Sequence, residues 1–379
     1  MGKLKLGFFL LLIILLNLFL QLFPHYYAYL KTPADQVFSG QASWFDPWDI
    51  NVYVAAVGFG QRGRVLLENL YTTAQQPPAL IYPLYTLSGF VFRSVNSWLI
   101  FYGLTVAMSL ILIVVVYLSV SVFLKDKSFS LLAAFLITVS GGFGWLVFDS
   151  GLISGDTSIT GFTFHSALQR PHEALGLSLY LVALVSFYLL TKATGKLKLK
   201  IIVSLSLWFL MFFYPYYLLS FIAITAIYLL AIKSTQQSWL DLLGLLILPV
   251  VSTIFYYLHL KNTDFLSVTT QNLNNVGLLS SLLGYGLLLP IFFYTAIKYR
   301  QNEVVRFISV WFLVSLVLSQ LPLGFARFYL RALFLPLMVQ FFFFLSQLRG
   351  AQKYLVNLFL INFLVLLPLS SGFIFMRRL

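Results

Sequence analysis

The run GFFLLLIILLNLFLQLF, residues 7–23, decides the fold class of this chain. It carries no charged residue and is long enough to cross the hydrocarbon core of a bilayer. Lys3 and Lys5 precede it, as basic residues precede the apolar part of a signal peptide. The run is long for a signal peptide, and no small-x-small cleavage site follows closely. We therefore predict a retained first span with its N-terminus on the inner side.

Composition extends this prediction to the whole chain. Apolar residues make up 60% of the 379 residues and charged residues only 9%, whereas soluble domains carry roughly 25% charged residues. We predict an all-α, polytopic bundle of about 11 transmembrane helices, forming one integral-membrane domain over residues 1–379. The predicted spans lie near 7–23, 98–124, 129–148, 172–191, 201–214, 216–232, 239–257, 277–297, 304–320, 329–346 and 354–375. A long first outer loop, residues 24–97, is predicted to carry juxtamembrane helices around Ile50–Leu67 and 79–93.

Basic residues support this topology, because Lys and Arg concentrate in inner loops. The predicted inner loops hold Lys125, Lys127, Lys192, Lys196, Lys198, Lys200, Lys233, Lys298, Arg300, Arg306, Arg349 and Lys353. This pattern holds only if 201–232 is broken at Tyr214-Pro215 into two short helices. Proline supports the break, because it disfavours helix in the residue before it. Arg377 and Arg378 are the exception, since they fall outside. The net charge of +13 thus reflects membrane topology and does not indicate nucleic acid as a partner.

The outer loop contains the stretch WFDPWDINVY, residues 44–53, with two carboxylates three residues apart among aromatic residues. Carboxylates are costly near lipid and usually have a function there. Either Asp46 or Asp49 could act as a general base towards an acceptor hydroxyl or amine. Asp49 is the better candidate because it can cap the following helix, whereas Asp46 precedes Pro47 and suits a turn. The alternative is that both are only turn and cap residues.

A second polar segment is FHSALQRPHE, residues 164–173. Pro171 suits the first turn of a helix, which would point its positive dipole end outward. Arg170 and His172 could together hold a phosphate at this helix end. The candidate substrate-binding residues of this segment are Arg170, His172, Glu173 and the nearby His165. Glu173 lies in the first turn of this helix, where it is buried and needs a partner. Arg170 or His172 is within reach. An ion-paired helix cap at the interface explains the same residues without a ligand.

A third polar segment is GFARFYLR, residues 324–331, on the predicted outer side. Arg327 and Arg331 are four residues apart and would share one face of a helix. The arginine fork matches phosphate geometry, so the pair could hold the phosphate of a lipid. The alternative is contact with membrane head groups by long interfacial side chains.

Several classes of chemistry have no support in the sequence. Cysteine is absent, which excludes disulfides, thiolate metal sites and cysteine nucleophiles. The four histidines are too scattered for a zinc-ligand spacing. There is no P-loop, no G-x-S-x-G nucleophile elbow and no H-E-x-x-H motif.

In layout, the chain resembles the GT-C superfamily of polytopic glycosyltransferases, which includes protein mannosyltransferases and bacterial lipid-linked sugar transferases. The resemblance covers a first span, the outer loop with Asp46 and Asp49, the segment QPPALIY at 76–82, the basic hairpin Lys125-Asp126-Lys127 and the late outer arginines. It implies a donor sugar linked to polyprenyl phosphate and an acceptor glycan, lipid or protein. The family's acid would correspond to Asp49 or Asp46, and its phosphate-binding arginines to Arg327 or Arg331. A clean Asp-Glu or Asp-x-Asp motif is missing, and metal dependence varies in the superfamily, so a divalent metal stays possible.

The resemblance also implies a location, namely the plasma membrane with an active site that faces outside the cytoplasm. Membrane lipids are then partners and nucleic acids are not. The implied reaction is an inverting sugar transfer in which an outer acid deprotonates the acceptor. Two other classes remain open, a transporter or flippase for lipid-linked or small solutes and a non-catalytic membrane scaffold. Transporters usually show inverted repeats and polar residues in broken helices at mid-membrane, whereas here the polar residues gather at the outer ends.

Overall fold

The computed structural model describes residues 3–42, 47–68, 76–192, 197–261, 263, 277–323, 326–348 and 353–379. Within these ranges the chain is helical, with no β-strand and one isolated antiparallel bridge between Leu67 and Ala79. The predicted all-α membrane bundle is thus confirmed. In chain order the helices are α1 (Lys3–Lys31), α2 (Pro47–Gln61), α3 (Pro83–Val91), α4 (Ser97–Phe123), α5 (Lys127–Val139), α6 (Gly144–Val147), α7 (Gly155–Ser158), α8 (Phe164–Leu168), α9 (Pro171–Leu190), α10 (Leu197–Leu210), α11 (Tyr216–Ala231), α12 (Gln236–Leu260), α13 (Leu278–Tyr285), α14 (Leu288–Lys298), α15 (Glu303–Leu318), α16 (Phe334–Gln347), α17 (Lys353–Leu366) and α18 (Leu369–Arg377).

Each predicted span coincides with a helix or a pair of consecutive helices. In the described part of the chain, however, only seven helices are long and apolar enough to cross a membrane, or eight if the bent pair α13–α14 counts as one span. The predicted count of about 11 is therefore not confirmed. The difference arises because α10, α11 and α15 have at most 16 residues, which is about 24 Å of helix and short of a bilayer core.

Local sequence explains where several helices begin and end. The side chain of Asp126 accepts hydrogen bonds from the backbone N–H groups of Ser128 and Phe129 and so caps α5. Pro171 opens α9 as predicted, with Arg170 at the N-cap. The predicted break before Pro215 is also confirmed, since α10 ends at Leu210 and α11 begins at Tyr216.

The centre of the bundle is formed by α9 and α16, which are buried along most of their length, while α1 and α12 lie at its periphery. The peripheral helices expose large apolar side chains, as expected for surfaces that face hydrocarbon. At the predicted inner end, Lys192 pairs with Glu303 and Lys200 pairs with Asp241.

Two helices of the first outer loop pack closely through glycines. Gly60 of α2 lies against the backbone of Thr86, and Gly89 of α3 lies against the backbone of Val57. Gly58 and Gly60 both lie inside α2. Because a glycine has no Cβ, the two backbones can approach one another at this crossing. The crossing fixes α2, and with it the outer-loop carboxylate Asp49.

Arg378, which ran against the charge rule, is buried at the predicted outer end of the bundle. Its guanidinium donates hydrogen bonds to the carbonyl groups of Leu20, Gln21 and Ala42 and contacts the ring of His25 at 2.9 Å. The charge is therefore compensated by carbonyl dipoles of α1 and of Ala42, which is why it is tolerated on this side.

Candidate functional site

A cavity of about 630 Å³ lies at the end of the bundle away from the lysine-rich loops. Its walls come from α2, the start of α3, the start of α9, the turn between α10 and α11, the end of α12, residues 322 and 323, and residues 327–331. Six of the residues that the sequence singled out line it: Asp49, Arg170, His172, Glu173, Arg327 and Arg331. Three segments that lie far apart in the sequence thus meet in one place.

The floor of the cavity is a buried ionic cluster centred on Glu173. Its Oε1 accepts hydrogen bonds from Arg331 at 2.9 Å and from Arg170 at 3.4 Å. The side chains of Glu173 and Arg331 are each only 1% exposed. Buried charges persist when they are paired and hydrogen-bonded, and the same Arg331 guanidinium also donates to the carbonyl of Thr160.

Asp49 extends this cluster towards the mouth of the cavity. Arg170 contacts its Oδ2 at 3.3 Å, and the hydroxyl of Tyr53 lies 3.5 Å from the same oxygen. The Asp49 side chain is 47% exposed, so the carboxylate is held on one side and accessible on the other. The expectation that Asp49 is the N-cap is wrong, because α2 begins two residues earlier, at Pro47. Asp46, the other predicted acid, lies outside the described residues.

The sequence predicted that Arg327 and Arg331 share one face of an α-helix, and this prediction is wrong. Residues Ala326–Leu330 form a 3₁₀ helix, and Ala332 has a φ of +66°, so the four-residue α-helical spacing does not apply. Both side chains nevertheless line the cavity. Arg331 is enclosed between the rings of Phe328 and Tyr214, at 4.2 and 4.9 Å. Arg327 is exposed and, among the described residues, makes a ring contact with Phe328 and no ion pair.

A group of tyrosines that sequence reasoning did not assign to the site forms another wall. Tyr53 stacks on Tyr85 with ring centroids 5.0 Å apart, and the Tyr85 hydroxyl is hydrogen-bonded to Nδ1 of His172 at 2.6 Å. Burial raises the pKa of Tyr53 and of Tyr85 well above the ordinary value, so both are neutral phenols. The signal that could have revealed this wall is tyrosine, rather than phenylalanine, at the buried positions 53 and 85.

Tyr214 and Tyr216 also line the cavity. Tyr214 lies in the break between α10 and α11, and Tyr216 is the first residue of α11. Tyr256 and Tyr257 of α12 complete this side. The polar outer loop that follows α12 lies almost entirely outside the described residues.

His165, the remaining predicted binding residue, does not line the cavity. It lies on α8 with no exposed surface, where the Gln21 amide donates to its backbone carbonyl and lies 3.3 Å from Nδ1. Burial, with the charge of Arg378 adding to it, lowers the pKa of His165 to about 3. In this structure His165 connects α8 to α1.

Asp156 is a second outer acid that lies apart from the cavity. Its carboxylate accepts hydrogen bonds from the backbone N–H groups of Gly142 and Gly144 and from the hydroxyl of Ser154. Burial raises the pKa of Asp156. These contacts fix the loop between α5 and α6. Across the described ranges, no group of three or more His, Cys, Asp and Glu side chains is placed to hold a metal ion.

No protein-family model matches the sequence, and no curated protein matches it. Among solved structures, the chain is similar to the crystal structure of the Archaeoglobus fulgidus oligosaccharyltransferase in the apo form, with a TM-score of 0.56 and 12% sequence identity. The match covers 97% of this chain and 56% of that chain, so this chain spans just over half of the length of that protein. At this identity the likeness shows the fold alone, which this chain shares with that oligosaccharyltransferase.

Proposed function

We propose that this protein is a membrane glycosyltransferase that moves a sugar from a polyprenyl-phosphate donor to an acceptor glycan, lipid or protein. The observation that supports this most directly is the cavity. It places an accessible carboxylate, Asp49, together with three arginines in a largely aromatic enclosure. The fold shared with an oligosaccharyltransferase supports the same class of reaction.

The proposed general base is Asp49. Its accessible side can take a proton from the acceptor hydroxyl or amine while the acceptor atom bonds to the anomeric carbon of the donor. The bond from that carbon to the phosphate oxygen breaks, and its electron pair leaves with the phosphate. Direct attack of this kind inverts the anomeric centre. Arg170 and Tyr53 hold the carboxylate in place, at 3.3 and 3.5 Å from Oδ2.

The proposed phosphate ligand is Arg327. The charge of Arg331 is already compensated by Glu173, and Arg170 lies between the two acids. Three arginines and two carboxylates leave one net positive charge in the cavity, which matches the single negative charge of a phosphodiester. Arg327 is exposed, whereas Arg331 is buried behind it. Charge building on the departing phosphate would be stabilised by this cluster.

The proposed location is the plasma membrane, with the cavity facing outside the cytoplasm. The lysine-rich loops lie at the opposite end of the bundle, which the positive-inside rule assigns to the cytoplasm. Membrane lipids would surround the exposed apolar faces of α1 and α12.

The test is a transfer assay on the full chain in nanodiscs, with radiolabelled undecaprenyl-phosphate sugars as donors and membrane lipid or glycan extracts as acceptors. Asp49→Asn should abolish transfer without lowering the apparent melting temperature, since this side chain is half-exposed. Asp149→Asn is the matched control, because Asp149 is an exposed acid away from the cavity. Full activity in Asp49→Asn would remove Asp49 as the base.

One observation favours a transporter as the second candidate. The pair α13–α14 is bent by 92° at its break, a geometry that transporters use at mid-membrane sites. The break lies against Gly142 and Phe143, outside the residues that line the cavity. Solute flux or lipid scrambling in proteoliposomes, without any sugar transfer, would favour this alternative.

A further inference from the structure

Tyr82 has a backbone conformation that bulky residues seldom adopt. Its φ and ψ are +54° and +46°, in the left-handed region. Among the described residues, only Tyr82, Lys233 and Ala332 are non-glycine residues with positive φ. Tyr82 lines the cavity, and Ala332 directly follows the cavity residue Arg331. Strain of this kind persists only where the surroundings enforce it, and it clusters at functional sites.

The surroundings that enforce it lie on both sides of Tyr82. The N–H of Leu80 donates to Nε2 of His259 at 3.1 Å, and the carbonyl of Leu80 accepts a hydrogen bond from the Tyr256 hydroxyl at 2.7 Å. Ala79 is paired with Leu67 by two backbone hydrogen bonds. Pro83 follows and starts α3, which disfavours the right-handed helical region for the residue before it. The chain is thus fixed so that Tyr82 reaches the cavity wall.

Three tyrosines of the first loop line the cavity, Tyr53, Tyr82 and Tyr85. Of these, Tyr82 keeps the most accessible surface. Tyr53 and Tyr85 are 4% and 0% exposed and stack on each other. Tyr82 is half-buried, and its ring meets that of Tyr53 edge to face at 5.2 Å. Tyr53 and Tyr85 therefore back and orient Tyr82, which presents surface to the cavity.

The accessible surface of Tyr82 lies in the same cavity as the charged side chains of Asp49 and Arg170. Tyr53, which backs Tyr82, is also the residue whose hydroxyl lies 3.5 Å from Asp49. The Tyr82 surface thus lines the same cavity as the Asp49 carboxylate and the Arg170 guanidinium, and Tyr53 contacts both Tyr82 and Asp49. A pyranose ring has this same pattern, with a face of C–H bonds that packs on an aromatic ring and a rim of hydroxyls that pairs with charged groups.

We propose that Tyr82 is a sugar-binding residue on which one pyranose ring of the substrate rests, with the rim of that ring towards Asp49. This inference rests on the proposed function and adds a subsite to it. The pyranose could belong to the donor or to the acceptor, and both present the same chemistry to the aromatic wall.

The test uses saturation-transfer-difference NMR on the full chain in detergent micelles, with methyl α-D-mannopyranoside and methyl β-D-glucopyranoside as probes. Tyr82→Phe keeps the ring and should retain the signal of the sugar ring protons. Tyr82→Gly removes the ring and suits the left-handed backbone, so it should fold normally and lose about five-fold in signal. Tyr29→Ala, at an exposed tyrosine of α1 outside the cavity, is the control and should change nothing.

An undiminished signal in Tyr82→Gly, an equal loss in Tyr29→Ala, or no signal from either glycoside with the wild type would each overturn the subsite.

Undecaprenyl-phosphate mannose distinguishes a subsite for the donor sugar from one for the acceptor sugar. Displacement of the glycoside assigns the subsite to the donor sugar, and simultaneous binding assigns it to the acceptor. Binding of undecaprenyl phosphate alone is measured in the same samples. If the wild type binds the glycosides but not this lipid, the proposed function is contradicted. If it binds the lipid but neither glycoside, only the subsite is contradicted.

Discussion

Glu173 and Arg331 form an ion pair of 2.9 Å in which both side chains are almost fully buried. They are 158 residues apart in the sequence, and their contact joins the start of α9 to the segment that precedes α16. The same Glu173 oxygen is shared with Arg170, which continues to Asp49. The proposed base and the buried arginine are therefore parts of one network, in which changes at the buried Glu173–Arg331 pair should affect both folding and chemistry.

The first prediction concerns the cost of removing the charge at the centre of this network. Glu173→Gln leaves Arg331 buried beside an uncharged side chain, which should destabilise the fold by about 3 kcal/mol. The measurement is thermal unfolding of the purified protein in detergent. Glu303→Gln is the matched control, since Glu303 pairs with Lys192 and is 62% exposed, and it should change stability by less than about 1 kcal/mol.

The double variant Glu173→Gln with Arg331→Met tests whether the loss of stability comes from an unpaired buried charge or from altered packing. If an unpaired buried charge causes the loss, the double variant should be more stable than Glu173→Gln alone. A double variant that is less stable would show that packing around Arg331, between Phe328 and Tyr214, dominates instead.

The second prediction concerns Arg327 as the phosphate ligand. Arg327→Ala should weaken binding of undecaprenyl phosphate by about ten-fold or more, because charge-assisted contacts of arginine with phosphate are strong. Its side chain is exposed, so the melting temperature should stay unchanged. Native mass spectrometry of the lipid complex measures the binding.

Arg93→Ala is the control for this second prediction. Arg93 is exposed and, like Arg327, lies over a phenylalanine ring, at 4.3 Å from the centroid of Phe90. It does not line the cavity. Equal losses of lipid binding in the two variants would indicate general head-group attraction and not a phosphate site.

The sequence predicted the helical segments well because apolar periodicity and proline positions act locally. The break before Pro215, the start of α9 at Pro171 and the existence of helices α2 and α3 all followed from neighbouring residues. Tertiary pairing did not follow. The partners expected for Glu173 were Arg170 and His172, and the closer partner Arg331 lies on a distant segment.

Backbone geometry set a second limit on what the sequence could predict. The 3₁₀ turn at Ala326–Leu330 replaced the α-helical face expected for Arg327 and Arg331. The left-handed conformation of Tyr82 adjoins two hydrogen bonds between Leu80 and α12, one donated by Leu80 to His259 and one accepted from Tyr256. Neither feature has a local signal, because each is imposed by contacts with residues far along the chain.

The third prediction concerns the glycine crossing that fixes α2. A Cβ added at Gly60 would lie 1.9 Å from the carbonyl oxygen of Thr86, so Gly60→Ala must separate α2 from α3. We expect a destabilisation of about 2 kcal/mol and a loss of transfer activity, because Asp49 lies on α2. Unfolding and activity are measured on the same preparation.

Gly103→Ala provides the control for the crossing. Gly103 lies inside α4, and an added Cβ would meet nothing within 4 Å. Alanine is the better helix former, so this variant should gain up to about 1 kcal/mol. A loss at Gly103 equal to that at Gly60 would contradict the crossing as the cause.

The fourth prediction is a loss of stability on acidification that depends on His165. Burial lowers the pKa of His165 to about 3, against 6.5 for the free side chain. Between these values the unfolded chain binds the proton and the folded chain does not. Stability therefore falls as the pH falls from about 6.5 towards 3, with a slope of up to about 1.4 kcal/mol per pH unit from this residue.

The pH effect is isolated by His165→Asn, which removes the titration and keeps an amide beside Gln21. Asp156 acts in the opposite sense, because its raised pKa makes the folded state bind the proton more tightly, so acidification favours folding there. Comparing the variant with the wild type between pH 5 and about 7.5 cancels the contributions of Asp156, His25 and His172. The variant should show a shallower decline in melting temperature below about pH 6.5. Identical slopes in the two proteins would mean that His165 is reached by protons, and by water, without unfolding.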